Sequence, residues 1–95
     1  MRSTAMQVIS GKVLGTTGNV VRGKMSCQRT GVGFYVLRTP PGKKLIDLIV
    51  AAASASYVSI LVDQETDTTC RVVIANAAGT VNADCDFRYI ATLAA

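Results

Sequence analysis

Few of the residues that commonly carry out chemistry are present, and their spacing limits what they could do. The chain has 95 residues, three cysteines and no histidine. Cys27, Cys70 and Cys85 are widely spaced and form no Cys-x-x-Cys pair, so the sequence predicts no zinc site. Without histidine, neither a Ser-His nor a Cys-His catalytic pair can form. The odd number of cysteines favours buried thiols over a disulfide, as expected for a chain made in a reducing cytosol.

Two carboxylates remain as candidates for acid–base chemistry. Asp84 and Asp86 are two positions apart, so they would share one face if their segment were a strand. That arrangement is compatible with a paired-carboxylate hydrolase. The alternative, which we favour, is a polar turn that leads into the last strand. The sequence therefore predicts no catalytic, cofactor-binding or metal-binding residue, and a protein that is not an enzyme.

A glycine-rich and basic segment, residues 31–44 (GVGFYVLRTPPGKK), raises the question of phosphate binding. A P-loop requires Gly, four residues and then Gly-Lys-Ser/Thr. Here Gly42-Lys43 is followed by Lys44, and Leu37 stands where the first glycine is needed. The dinucleotide-binding fingerprint fails as well, because it needs a third glycine in a turn between a strand and a helix. Neither phosphate-binding motif is therefore present.

The same segment is better interpreted as a β-hairpin followed by a basic turn. The two glycines of GVG allow the positive φ angles of a hairpin turn. Phe34 and Tyr35 then start the return strand on opposite faces, so one can enter the core and the other can reach a neighbouring chain. The Pro-Pro-Gly sequence ends that strand. Lys43 and Lys44 become candidates for contacts with carboxylates of a partner or of another copy.

Short β-strands separated by Gly, Asn and Asp turns dominate the rest of the chain. Alternation is clear near the N-terminus, where Met6, Val8 and Ser10 lie opposite Ile9 and Val13. This pattern predicts one all-β domain over the whole chain, a small antiparallel β-sandwich or barrel. The predicted strands cover residues 6–13, 19–23, 24–29, 34–38, 57–62, 69–75 and 86–93.

Residues 45–53 are ambiguous between a strand and a helix. A helix over residues 44–56 is the minority interpretation, since alanine favours helices and one helical face would gather Leu45, Leu48, Ile49 and Ala52.

A membrane segment is disfavoured. Residues 45–62 contain a single charge, Asp47, but eighteen residues is the lower limit for a spanning helix. Asp47 would lie in the first turn, the centre is rich in alanine and serine, and the end is β-prone. The N-terminus also lacks the apolar run of a signal peptide.

Composition indicates that the chain has a partner. Apolar residues make up 49% of the chain and the mean hydropathy is +0.36, which is high for a small soluble monomer. Residues 1–44 contain eight of the ten Lys and Arg and no acid, whereas all six acids lie in residues 45–95. The basic half could meet nucleic acid, an acidic partner or the acidic half of another copy. Nucleic acid is disfavoured, because the chain has only five aromatic residues on which bases could stack.

Three stretches resemble motifs of small β domains in bacteriophage virions. Residues 29–37 (RTGVGFYVL) are similar to the R-T-G-x-G-x-Y-x-[VL] signature of domains at tail-fibre ends, in spikes and in capsid decoration proteins. Residues 76–91 are similar to the terminal pattern of those domains, with Tyr89 as its second aromatic residue. Residues 11–23 fit their glycine- and valine-containing opening motif.

The resemblance spans roughly residues 8–92 and departs from the family at two points. Met25 stands where a phenylalanine is usual, and residues 45–56 are unusually rich in alanine. The resemblance implies a homotrimeric β fold without enzyme activity, located in the virion after synthesis in the host cytoplasm. Three copies around an axis would also bury the apolar surplus.

Two virion roles fit the resemblance. A capsid decoration or cement protein would bind the major capsid protein, whereas a tail-fibre tip would join tail proteins and bind a host-surface receptor. Because the chain starts at Met1 without an attachment region, we expect the decoration role. A small basic nucleic-acid-binding β-barrel is the second alternative. The residues predicted to form an interface are Phe34, Tyr35, Arg38, Lys43, Lys44, Phe87 and Tyr89.

Overall fold

A computed structural model describes residues 6–53 and 58–95 of the chain. These residues form eight β-strands and no helix, so no described segment is a helix capable of crossing a membrane. The strands are β1 (Met6–Val13), β2 (Val20–Arg22), β3 (Ser26–Gly31), β4 (Phe34–Arg38), β5 (Lys44–Ala52), β6 (Val58–Asp63), β7 (Thr69–Asn76) and β8 (Phe87–Ala94).

The strands are arranged in two antiparallel sheets of four strands each. The first, here called the β1 sheet, has the order β2-β1-β8-β5, and the second, the β4 sheet, has the order β3-β4-β7-β6. The chain crosses from one sheet to the other after β2, β4, β5 and β7. In the β1 sheet, β8 pairs along its whole length with β1 on one side and with β5 on the other. The predicted all-β class and antiparallel arrangement are confirmed.

One core lies between the inner faces of the two sheets. The inward side chains of β8 are those of Phe87, Tyr89, Ala91 and Leu93, and β4 contributes Tyr35 and Leu37. The Tyr35 and Phe87 rings meet edge to face, with centroids 5.1 Å apart. In β1 the inward side chains are those of Ile9 and Val13, which the alternation placed together on one face.

The helix considered for residues 44–56 is wrong over its described part. Residues Lys44–Ala52 form the edge strand β5, whose apolar side chains lie on both faces of the β1 sheet. A β-bulge between Leu45 and Asp47 interrupts the pairing, and Asp47 Oδ1 accepts a hydrogen bond from Leu48 N at 2.9 Å. Tyr57, the predicted first residue of the next strand, lies outside the described residues.

Two glycines with the same backbone conformation differ in their surroundings. Gly33, in the β3–β4 turn, has a φ of 76°, and Gly42, in the β4–β5 turn, has a φ of 78°. Gly33 O accepts a hydrogen bond from Ile74 N at 2.7 Å, and a Cβ added to Gly33 would overlap Ile74 O. A Cβ added to Gly42 would have no heavy atom within 4 Å. Close backbone approach is therefore required at Gly33 and not at Gly42.

Substituting alanine at these two glycines separates backbone strain from crowding. Gly42→Ala is expected to lower the free energy of unfolding by only about 1 kcal/mol, the cost of a left-handed non-glycine residue. Gly33→Ala is expected to cost at least about 3 kcal/mol, because the new methyl group must also displace backbone. Urea denaturation of both variants measures the difference. Equal losses at the two positions would contradict the close approach described for Gly33.

Candidate docking surface

Asp84 joins three parts of the β3–β4 hairpin to the loop before β8. Its carboxylate accepts hydrogen bonds from Arg29 Nε at 3.1 Å and from a terminal Arg29 nitrogen at 2.8 Å. Gly33 N and the Tyr35 hydroxyl lie 2.9 Å from the same Oδ1 atom. These contacts connect residues that are 49 to 55 positions apart in the sequence. Arg29, Gly33 and Tyr35 all belong to the motif that resembles phage virion domains.

Tyr35 and Asp86 extend this network to the β1–β2 loop. The Tyr35 hydroxyl lies 2.7 Å from Gly15 O as well as near Asp84, so its single proton lies between two acceptors. Burial raises the pKa of Tyr35 above its usual value, so the hydroxyl stays a donor even in alkaline solution. Asp86 Oδ1 accepts a hydrogen bond from Gly15 N at 2.7 Å. Both aspartates considered as a catalytic pair therefore hold loops together.

Three of the predicted interface residues lie inside the core of the same chain. Tyr35 and Phe87 are fully buried, and Tyr89 is 1% exposed. The Tyr89 hydroxyl accepts a hydrogen bond from Met25 N at 3.3 Å. A side chain without exposed surface offers nothing to another chain. The prediction of an interface through these three residues is therefore corrected: they hold the two sheets together.

The other four predicted interface residues are accessible but are not gathered at one site. Phe34 is half-buried beneath the Arg71 guanidinium, whose carbon lies 5.4 Å from the ring centroid. Arg38 and Lys43 line a cavity of about 230 Å³ at the β4–β5 turn, beside the exposed Lys44. Phe34 and Arg38 are at opposite ends of β4, about 13 Å apart. The basic turn and Phe34 are thus separate surfaces.

Several exposed aliphatic side chains of the described residues lie on the outer face of the β1 sheet. Its aliphatic side chains Met6, Val8, Ile49 and Ile90, here called the apolar face, are 59%, 68%, 61% and 50% exposed. Ile90 pairs with Ile49 on one side and with Ser10 on the other, whereas Val8 pairs with Thr92, the next outward residue of β8, so the aliphatic side chains share one face of the sheet. Beside them lies a cavity of about 300 Å³. An exposed aliphatic face of this kind is a candidate docking surface.

Sequence reasoning did not identify this face as a site. It placed Met6, Val8 and Ser10 on one side of a strand, but did not show that the side would remain uncovered. The signal available in the sequence was that β1 and β8 carry aliphatic residues on both faces, whereas a sheet with one solvated face alternates apolar with polar residues.

Comparison with protein-family models, curated proteins and solved structures gives no match to this chain. The resemblance to bacteriophage virion domains accordingly depends on the sequence motifs alone.

Asp84→Asn tests whether the carboxylate organises this end of the fold. Asparagine keeps the size and one acceptor oxygen but loses the charge that binds Arg29, so we expect the free energy of unfolding to fall by about 2 kcal/mol. The matched control is Asp63→Asn, which removes the two-point Arg71–Asp63 ion pair on the outer surface of the β4 sheet. That loss should be smaller. Urea denaturation showing equal losses would contradict the role given to Asp84.

The pH dependence of the same variant gives an independent check. Hydrogen bonding from Arg29 holds the pKa of Asp84 below its usual value. A carboxylate with a lowered folded-state pKa stabilises the fold above its unfolded pKa of about 3.9, and this stabilisation is lost as pH falls through the lowered pKa. The stability difference between the wild type and Asp84→Asn should stay constant from neutral pH to about pH 5 and narrow below about pH 4. Urea midpoints across this range measure it, and a difference that widens on acidification would contradict it.

Proposed function

We propose that this chain is a non-enzymatic structural protein of a bacteriophage virion, a homotrimer that decorates and stabilises the capsid exterior. The observation that carries the proposal is the apolar face of the β1 sheet. Four large aliphatic side chains on adjacent strands are at least half exposed there. A domain of 95 residues buries a modest share of its surface, and covering this face in a neighbouring copy would add to its stability.

The virion assignment is supported by the motif residues and their contacts. Arg29, Gly33 and Tyr35 carry the sequence signature, and all three meet the carboxylate of Asp84. The signature is therefore explained by a structural requirement of a small two-sheet domain. A trimer is the assembly that the resemblance implies, and a cyclic trimer can cover one such face on each copy.

A tail-fibre tip is the second candidate, and the cavity at the β4–β5 turn favours it. Arg38, Lys43 and Thr68 are among the residues that line this cavity. Thr39 Oγ1 donates a hydrogen bond to Lys43 O at 3.0 Å and helps to fix the turn. Concave, basic and polar surroundings suit an acidic group on a host-surface receptor.

Cryo-EM of the virion whose genome encodes this chain distinguishes the two roles. The decoration role predicts density for trimers of this fold on the outer surface of the capsid. Density at the tail tip alone would replace the decoration role by the second candidate. Absence of the chain from purified virions would overturn both.

Ile90→Lys tests the face on which the proposal depends. The wild-type chain should sediment at three times its 10.0 kDa mass, and a lysine at the centre of the apolar face should give a monomer because its charge would be desolvated in the assembly. The matched control is Val81→Lys, at an aliphatic residue that is 62% exposed outside the β1 sheet. This variant should remain a trimer. Sedimentation velocity measures all three proteins, with circular dichroism to check folding.

A wild-type chain that is monomeric at micromolar concentration would overturn the trimer. If Ile90→Lys stays trimeric as well, the subunits meet through another surface.

A further inference from the structure

Three cations lie side by side across the outer face of the β1 sheet. Lys12 of β1 pairs with Arg22 of β2 on one side and with Arg88 of β8 on the other. Neighbouring strands are about 4.8 Å apart, so these like charges are close enough to repel one another. Among residues 6–53 and 58–95, none of the three takes part in an ion pair or a side-chain hydrogen bond. We call Arg22, Lys12 and Arg88 the cation row.

The position of the row relates it to the apolar face. Arg88 is two residues before Ile90 on β8, and Lys12 is two residues after Ser10 on β1, so the row borders the aliphatic side chains on the same face. Arg88 also lines the cavity beside Ile49 and Ile90. A partner that covers the aliphatic residues must therefore meet the cations, and carboxylates next to an aliphatic side chain would complement both.

The chain itself carries carboxylates next to an aliphatic side chain, in the β6–β7 turn. Asp63 and Asp84 are engaged by Arg71 and Arg29, but Glu65 and Asp67 are exposed. In the described part of the chain no ion pair engages either carboxylate. The backbone of Asp67 lies beside the start of β5, where Leu45 N donates a hydrogen bond to Asp67 O. We call residues 64–68 the acidic turn.

An exposed aliphatic side chain precedes the acidic turn on β6. Leu61 is 58% exposed on the outer face of the β4 sheet, four residues before Glu65. The hairpin thus presents an aliphatic group followed by two uncommitted carboxylates, Glu65 and Asp67. An aliphatic side chain next to two carboxylates complements the apolar face and the cation row that borders it.

We propose that the acidic turn of one copy docks on the cation row of the next, with Leu61 against Ile49 and Ile90. The proposal rests on the homotrimer proposed above and names the surfaces that meet in it. Two different surfaces make a heterologous contact, which closes into a ring when the rotation between copies allows it. Contact between two cation rows would instead place like charges together.

Nucleic acid is a weaker occupant for the same row. Binding of single strands uses aromatic side chains on which bases stack. Of the described aromatic residues, Tyr35, Phe87 and Tyr89 are buried, and Phe34 belongs to the β4 sheet. The surface beside the cations is aliphatic, which suits a protein partner better than bases.

Charge reversal and its compensation test the contact. Lys12→Glu/Arg88→Glu reverses two of the three charges of the row, and Glu65→Lys/Asp67→Lys reverses both carboxylates of the acidic turn. Each double variant should weaken association at least about tenfold, because like charges then meet. The chain that carries all four substitutions should recover the trimer, because the two reversed positions of the row again meet opposite charges. Ser26→Glu/Gln28→Glu adds negative charge at exposed positions of β3, on the edge of the β4 sheet opposite the acidic turn, and should leave association unchanged. Sedimentation velocity over a concentration series measures each chain.

The outcomes separate this inference from the proposed function. A wild-type monomer overturns the trimer and the docking contact together. A wild-type trimer that both reversals leave intact overturns the contact and leaves the trimer standing. If reversing the row disrupts the trimer but reversing the acidic turn does not, the acidic turn is not the occupant. The same conclusion follows if the fourfold variant does not recover the trimer. DNA binding is measured by fluorescence anisotropy with a labelled single strand. If the wild type binds and the row-reversed variant does not, nucleic acid replaces the acidic turn as the occupant of the cation row.

Discussion

The carboxylate of Asp84 is the interaction on which this fold depends most. The Asp84 carboxylate accepts hydrogen bonds from Arg29, Gly33 N and the Tyr35 hydroxyl. This hydroxyl also lies within hydrogen-bond distance of Gly15 O. The loop before β8, the β3–β4 hairpin and the β1–β2 loop therefore close over the same end of the core. Removing the anion would leave a buried hydroxyl and a backbone amide with fewer acceptors, which costs more than the loss of an equivalent contact at the surface.

This internal use of acids also explains the charge of the surface. Asp84 and Asp63 are bound by arginines, Asp86 holds the Gly15 amide and Asp47 accepts a hydrogen bond from Leu48 N, so four of the six acids bond within the fold. Most lysines and arginines are left on the exterior, and three of the cations lie next to the aliphatic side chains of the β1 sheet. In the described part of the chain, the aliphatic side chains on the outer face of that sheet stay exposed, and too few acids remain to balance the cations. Both deficits can be met at one contact with another copy.

Much of the fold could be predicted from the sequence, because local alternation reports which residues are strands. Phe34–Arg38 and Met6–Val13 begin and end as predicted. Alternation also placed Phe34 and Tyr35 on opposite faces, but it could not choose the inner one, because Tyr35 is held by Gly15 and Asp84, which are distant in sequence. Residues 45–53 were ambiguous because their apolar residues lie on both faces, and pairing with β8 decides the strand. The docking surface escaped prediction for a related reason: a sequence shows an aliphatic strand face but not whether another element covers it.

The accessibility of a thiol placed at Ser10 tests the central claim, that the outer face of the β1 sheet is buried between copies. Ser10 is exposed beside Ile90, and the native thiols would interfere little, since Cys85 is buried and burial raises the pKa of Cys27 to about 12 and that of Cys70 to about 11. Maleimide labelling of Ser10→Cys should be fast in dilute protein and strongly slowed at concentrations where the chain assembles. Gln28→Cys, on the exposed edge of the β4 sheet, should react at one rate throughout. Equal labelling of Ser10→Cys at all concentrations would contradict the account.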